Sequence, residues 1–258
     1  MDLGISGLRV MISAGANGIG LAMARAFVRE GACVAVCDVD ATALHALAQS
    51  DASLHTTPCD VAQRADVARW FGAALAHLGG LDCLVNNAGI AGPTGKVDEI
   101  DPEAWDRCIG VDLTGQFNCV RLGVPALRAS GNASIVNVSS LAGRLGFALR
   151  TPYAAAKWGV IGLMRSLAVE LGPDNIRVNA LLPGIVAGER QQRVLNAKAQ
   201  ARGVSFDEVE RAAFAGTSIK QYVTAAQLAD YVVYLASPRA ATISGQALSV
   251  CGDTNILS

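Results

Sequence analysis

Apolar and polar positions alternate along the chain in two textures. Short, almost wholly apolar runs read as strands buried on both faces. They are "RVMIS", "CVAVCD", "CLVNNAG", "SIVNVSS", "IRVNALLPG" and "ALSVCG", with "LHTTPCDV" a weaker seventh. Between them, helical periodicity covers residues 19–30, 41–49, 63–78, 102–128, 153–171 and 225–236. Gly31 follows the first helix as a C′ glycine, and Pro102 suits the first turn of the long fourth one. Strands alternating with helices imply right-handed crossovers. The expected fold is therefore α/β, a doubly wound, seven-stranded parallel sheet with helices on both faces. No repeat, low-complexity segment or linker interrupts the pattern, so residues 1–258 are expected to form a single domain. One stretch differs. Residues 188–220 are polar and charged, follow a strand's C-terminal end, and suit an active-site lid.

Composition narrows the function. The chain has 258 residues, of which 52% are hydrophobic and only 17% charged, with a net charge of −1. This balance offers nothing to nucleic acid or an anionic membrane. The start "MDLGISGLRV" lacks a signal-peptide pattern, and no run approaches the roughly 18 apolar residues of a membrane span. A soluble, cytoplasmic protein is expected. The seven cysteines (Cys33, Cys37, Cys59, Cys83, Cys108, Cys119 and Cys251) are odd in number and scattered through apolar segments. They are expected to be buried and reduced. The three histidines have no ligand spacing, so no metal is expected.

The candidate chemistry begins at "MISAGANGIG". A glycine-rich turn between a strand and a helix aims unpaired N–H groups at an anion, and Gly15, Gly18 and Gly20 let a backbone approach it. No Lys-Ser/Thr pair follows, which excludes a Walker A loop. The second strand ends at Asp38, whose carboxylate can accept both hydroxyls of an adenosine ribose and repels a 2′-phosphate. NAD is expected over NADP.

Farther on, Tyr153 and Lys157 stand at i and i+4 on one helix face. A tyrosine hydroxyl ionises at about pH 10. A nearby ammonium favours the phenolate and makes it usable in acid–base catalysis. Ser139 and Ser140 end the strand upstream, where a serine hydroxyl can polarise a carbonyl.

Together these features resemble the short-chain dehydrogenase/reductase family over essentially the whole chain. The resemblance rests on the glycine turn, Asp60-Val61, "NNAG" (Asn86, Asn87, Ala88, Gly89), Ser140, Tyr153-x-x-x-Lys157, Asn179 and Pro183-Gly184. It implies a Rossmann fold and hydride transfer between nicotinamide and a secondary alcohol or ketone. Tyr153 would be the acid–base, Lys157 would hold the nicotinamide ribose and tune the tyrosine, and Ser140 would orient the substrate. Cofactor contacts are implied at Gly15, Asn17, Gly18, Ile19, Gly20 and Asp38, with Asp60 and Val61 flanking the adenine. Asn86, Asn87, Ala88 and Gly89 would line the cleft, and Pro183, Gly184 and Val186 would meet the carboxamide. A homotetramer through helices near 103–128 and 153–171 is also implied.

Four positions depart from the family pattern. Ala14 stands at the first motif glycine, beside Ser13 in place of threonine, and an alanine methyl adds little bulk. Asp112 replaces a catalytic asparagine whose backbone carbonyl supports a proton relay. "IVAGER" lacks the carboxamide-binding threonine, and "VCGD" replaces a VDGG-like ending. Two rival functions can be weighed. A catalytically silent dinucleotide sensor has no use for a tuned tyrosine, and a methyltransferase does not explain Tyr153-x-x-x-Lys157. Arg144, Arg150, Arg190 and Arg193 leave two readings open: an anionic substrate, or solvated surface arginines.

Overall fold

A computed structural model describes residues 2–257. Strand β1 (Arg9–Ser13) leads through α1 (Gly18–Arg29) to β2 (Cys33–Asp38), then α2 (Ala41–Ser50) and β3 (Leu54–Pro58). Helix α3 (Arg64–Leu78) precedes β4 (Cys83–Asn86), and α4 (Pro102–Ile109) and α5 (Gly115–Leu127) precede β5 (Ser134–Val138). Helix α6 (Thr151–Leu171) leads to β6 (Arg177–Pro183). Then come α7 (Glu189–Arg202), α8 (Phe206–Ala215), α9 (Ala225–Ala236) and β7 (Ala247–Val250). The seven strands are ordered β3-β2-β1-β4-β5-β6-β7, and every pairing is parallel.

The period of two along each strand divides the core into two layers. Val10 and Ile12 of β1, with Val34 and Val36 of β2, pack with Phe27 of α1, Leu47 of α2 and Leu228 of α9. The intervening Met11, Ala35 and Cys37 face the other way, onto Trp70 of α3, Val120 of α5 and Met164 of α6. Each large side chain so buried contributes about 1.5–3 kcal/mol. The order in which strands are added reverses between β1 and β4, which opens a crevice at their C-terminal ends. At the opposite end of this seam, Arg9 grips Asp82. Its backbone N–H and Nε donate to Oδ2 at 2.9 and 2.8 Å, and Nη2 donates to Oδ1 at 2.7 Å. Ser130 Oγ adds a bond to Oδ1 at 2.6 Å.

Two expectations, the unbroken helix and the buried cysteines, need correcting, and the polar stretch gains a defined structure. The predicted helix over 102–128 is broken by a π turn at Gly110–Thr114, where the Gly115 N–H reaches back to the Gly110 carbonyl. The polar stretch 188–220 contains two helices, α7 and α8. Ser205 caps the second through a reciprocal bond with Glu208, and Leu195, Ala199 and Val209 form a small core of their own. The cysteines are all free thiols, but not all are buried: Cys33 is exposed and Cys251 half-buried, because each stands at a strand margin. Among the described residues, no helix is long and apolar enough to cross a membrane.

Candidate active site

The glycine turn lies in the crevice and is held by its neighbours across the seam. Ser13 Oγ accepts the backbone N–H groups of Asn87 and Ala88, both at 3.0 Å, so the serine supplies the hydroxyl that the position needs. The Asn87 side chain donates to the carbonyls of Ser13 and Ala14 at 3.1 and 3.0 Å. A Cβ at Gly20 would lie 2.0 Å from the Ala14 carbonyl oxygen, so only glycine permits this closure. Ala14 itself has φ +53°. The difficulty of alanine at this position is therefore backbone conformation, not bulk, with a cost of about 1–2 kcal/mol.

Beyond the turn, Asn17 begins α1 without a side-chain cap, and no acidic residue occupies the first turn. Gly18 has open space where a Cβ would point. Those features fit the pyrophosphate of a dinucleotide. Ile19, partly buried, anchors the first turn of α1 to the core. Asp38 is 9% exposed; Oδ2 accepts the Ala16 N–H and Oδ1 the Asp40 N–H, both at 3.1 Å, which fastens its carboxylate beside the turn.

The remaining cofactor candidates divide. Asp60 pairs with Arg107 at 2.7 Å and accepts the Ala62 N–H at 3.0 Å. Val61 is buried, and its carbonyl accepts from Asn118 at 3.0 Å. Asn86 does not line the cleft as expected. It is 1% exposed and its amide donates to Asn137 on the adjacent strand at 2.9 Å, whereas the Asn87 side chain bonds the glycine turn. Pro183 is buried at the end of β6, and a Cβ on Gly184 would come within 2.7 Å of the Cys251 backbone. Val186 pairs with Val223.

At the centre, Asp112 and Lys157 are brought together with the start of α6. Asp112 is fully buried; Oδ1 accepts the Ile90 N–H at 2.7 Å, and Oδ2 lies 3.2 Å from Lys157 Nζ. The ammonium also donates to the Val138 carbonyl at 3.2 Å and lies 5.4 Å from the Tyr153 ring centroid. A Cβ on Gly89 would come within 3.1 Å of the same Nζ. Ser139 Oγ donates to the Lys157 carbonyl at 2.9 Å, fastening α6 to the end of β5. Ser140 Oγ accepts the Ala142 N–H at 3.1 Å, which leaves its own proton for a further acceptor.

Helix α7 covers one side of this cluster. Arg190 Nη1 donates to the Gly89 carbonyl at 2.9 Å. Lys198, 2% exposed, places Nζ 4.0 Å from the Phe147 ring centroid. Burial first, then Arg202 and Arg150, push its pKa down to about 7. The four arginines left open by the sequence now separate. Arg144, Arg190 and Arg193 are exposed, whereas Arg150 is 2% exposed. Lys198 was missed altogether, since nothing in a polar helix marks which lysine faces inward.

A family profile described as enoyl-(acyl carrier protein) reductase matches residues 13–253. The chain is 34% identical over 249 residues to short-chain dehydrogenase/reductase ABA4 of Pyricularia oryzae, covering 93% of this chain and 89% of that one. It is 43% identical over 186 residues to trans-4-hydroxycyclohexanecarboxylate dehydrogenase of Sinomonas cyclohexanicum, covering 68% and 71%. Among solved structures, a variant of actinorhodin polyketide ketoreductase with NADPH is 32% identical, with a TM-score of 0.88 and coverage of 94% and 95%.

Proposed function

The chain belongs to the short-chain dehydrogenase/reductase family, and from that premise we propose that it is an NAD-dependent dehydrogenase of secondary alcohols, acting through Tyr153, Lys157 and Ser140. The observation that carries this reading is the fixed ammonium of Lys157. It is held between the Val138 carbonyl and the Asp112 carboxylate, within 5.4 Å of the Tyr153 ring.

The nicotinamide dinucleotide supplies the hydride acceptor when bound. Its pyrophosphate would meet the uncapped start of α1 at Asn17, Gly18 and Ile19, and Asp38 would accept the adenosine ribose hydroxyls. The chain's own task is the proton. Ser140 donates its free O–H to the substrate oxygen and orients it. Tyr153 takes the hydroxyl proton as the carbinol carbon gives up hydride, and returns it in reduction. Lys157 holds its ammonium beside the Tyr153 ring, where it faces the group that exchanges the proton. Asp112 positions Lys157 from behind.

NAD is favoured over NADP by Asp38 and by the absence of lysine and arginine from residues 13–20 and 37–43. The NADPH of the polyketide ketoreductase belongs to that enzyme and not to this chain. We read residues 1–258 as one domain, with 188–220 as its lid. The half-exposed Phe117 and Trp158 on α5 and α6 support a homotetramer through these helices.

The test follows NADH absorbance over a panel of secondary alcohols, with Tyr153→Phe as control. Turnover lost in Tyr153→Phe supports the reading. Unchanged turnover in that variant refutes the proton role.

A further inference from the structure

Arg150 stands three positions before Tyr153, and the mechanism above makes no use of it. Its guanidinium carbon lies 5.2 Å from the Tyr153 ring centroid and 5.6 Å from that of Phe147. Nη2 donates to the Ala91 carbonyl. The N–H groups of Nε and Nη1 have no acceptor, although the residue is 2% exposed. Among the described residues, no carboxylate lies within ion-pair distance of it. Asp112, the acid on that side of the site, already faces Lys157. Burying a guanidinium in this way costs several kcal/mol unless something meets its charge and its donors.

The same chain shows what a purely structural buried arginine looks like. Arg177, 6% exposed, is wrapped by carbonyls at the end of α9: Nη1 donates to Leu235 and Ala240, and Nη2 to Ala236 and Ser237. Asn132 completes the shell at 3.2 Å. Arg150 has no such shell. Its other neighbour, the Phe147 ring, carries Lys198 on its face and offers no acceptor to the guanidinium.

The backbone is also constrained to place it. Leu149, immediately before Arg150, has φ +64°, a left-handed conformation that is strained for a residue with a β-carbon. The bond from the Gly95 N–H to the Leu149 carbonyl, at 3.0 Å, holds that turn.

We infer that Arg150 binds a carboxylate carried by the substrate, so that the alcohols this protein oxidises are small hydroxy acids. This rests on the dehydrogenase reading for the place of the carbinol, but the anion site stands on Arg150 alone. The guanidinium lies against the ring whose hydroxyl takes the proton, so carboxylate and carbinol belong to one small molecule. The carboxylate supplies the acceptors that Nε and Nη1 lack.

Two measurements test this. The first needs no turnover: butyrate, as the probe, is titrated calorimetrically into the full chain and into Arg150→Gln and Arg150→Lys. Saturable binding to the parent that falls by about 100-fold in Arg150→Gln is expected, as for removal of one partner from a buried charge pair. Arg150→Lys keeps the charge and should fall in between. It also keeps the comparison open if the glutamine variant does not fold.

The second compares kcat/KM for 3-hydroxybutyrate and 4-hydroxycyclohexanecarboxylate with their primary amides. A preference for the acids of about 100-fold, collapsing in the Arg150 variants chiefly through KM, is expected. Equal butyrate binding by parent and variants overturns the inference, as does equal use of acids and amides. Arg150-dependent butyrate binding with no oxidation of either series instead overturns the dehydrogenase reading and leaves the anion site standing.

Discussion

Asp112 and Lys157 form an ion pair inside the protein, 3.2 Å apart, with side chains 0% and 3% exposed. A buried ammonium needs a countercharge, and here the chain provides one at the position where the family pattern has asparagine. Asp112→Asn keeps an acceptor for the Ile90 N–H, and Lys157 keeps the Val138 carbonyl. Stability should fall by up to about 3 kcal/mol as the ammonium loses its partner. The rate constant should change by less than about tenfold, against about 10²–10⁴ for Tyr153→Phe. Denaturant melts and pH–rate profiles of the two variants check this. Equal catalytic damage in a folded Asp112→Asn makes the carboxylate a reacting group.

Asp38 is expected to govern cofactor choice. NAD should be preferred over NADP by at least about tenfold in kcat/KM, because a 2′-phosphate meets a carboxylate and loses hydroxyl bonds. The Ala16 N–H bond to Asp38 means that Asp38→Ala loosens the glycine turn as well. Asp38→Asn is therefore the cleaner variant: it should narrow the preference while retaining that bond. Equal use of both dinucleotides by the parent protein would rule out the assignment.

Ala14→Gly should stabilise the protein. Glycine removes the left-handed cost at φ +53° but gives back some unfolded-state entropy, for a net gain of about 0.5–1 kcal/mol. For a chain of this size the melting temperature should rise by about 1–4 °C. A lower melting temperature contradicts the account of this turn.

Asp82 gives stability a defined acid limit. Burial alone would raise its pKa, but hydrogen bonds from Arg9 and Ser130 outweigh that and hold it below the usual carboxylate value. With the folded value depressed, the stabilisation is present above the unfolded value of about 4 and disappears as pH falls through the folded one. Asp82→Asn should cost about 1–3 kcal/mol at neutral pH. The gap to the parent should close at acid pH below about 4. Urea titrations across roughly pH 2.5–7 measure it.

Helix α7 is expected to move as the lid. Its link to the rest of the site includes the exposed Arg190 bond to the Gly89 carbonyl, while its buried face is small. Amides of residues 189–202 should exchange faster than those of β1 and β4 in the free protein, and slow when cofactor and substrate are both bound. Exchange as slow as the strands in the free protein opposes a lid.

What the sequence made legible follows from the strength of each local signal. "RVMIS" and "CVAVCD" coincide with β1 and β2 because strands buried on both faces leave continuous apolar runs. Residues 225–236 coincide with α9, where Thr224 and Gln227 cap the first turn. The spacing of Tyr153 and Lys157 alone fits an ordinary surface pair, and it points to a site only in company with the glycine turn and Ser140. The π turn at 110–114 was not, because one extra residue scarcely disturbs the apolar periodicity of 102–128. Helices α7 and α8 escaped because few apolar residues among many polar ones define their inner face. Nothing in the letters separates Arg150 from Arg144; only the placed backbone shows that one is enclosed and the other open. The conformation of Ala14 was equally hidden, since a methyl looks harmless until φ is known.

The parallel sheet also dictates how the chain must be assembled. No neighbouring strands are joined by a hairpin, so each pairing waits for a crossover, and β1 at Val10 meets β4 only once Cys83 has been made. Pairings so distant in sequence form slowly and leave apolar edges open to other chains meanwhile. Cys37, Cys83 and Cys119, sealed in the finished core, are bare throughout that interval. Renaturation from denaturant should therefore succeed in dilute solution with a reductant present, and fail by intermolecular cross-linking and aggregation without them.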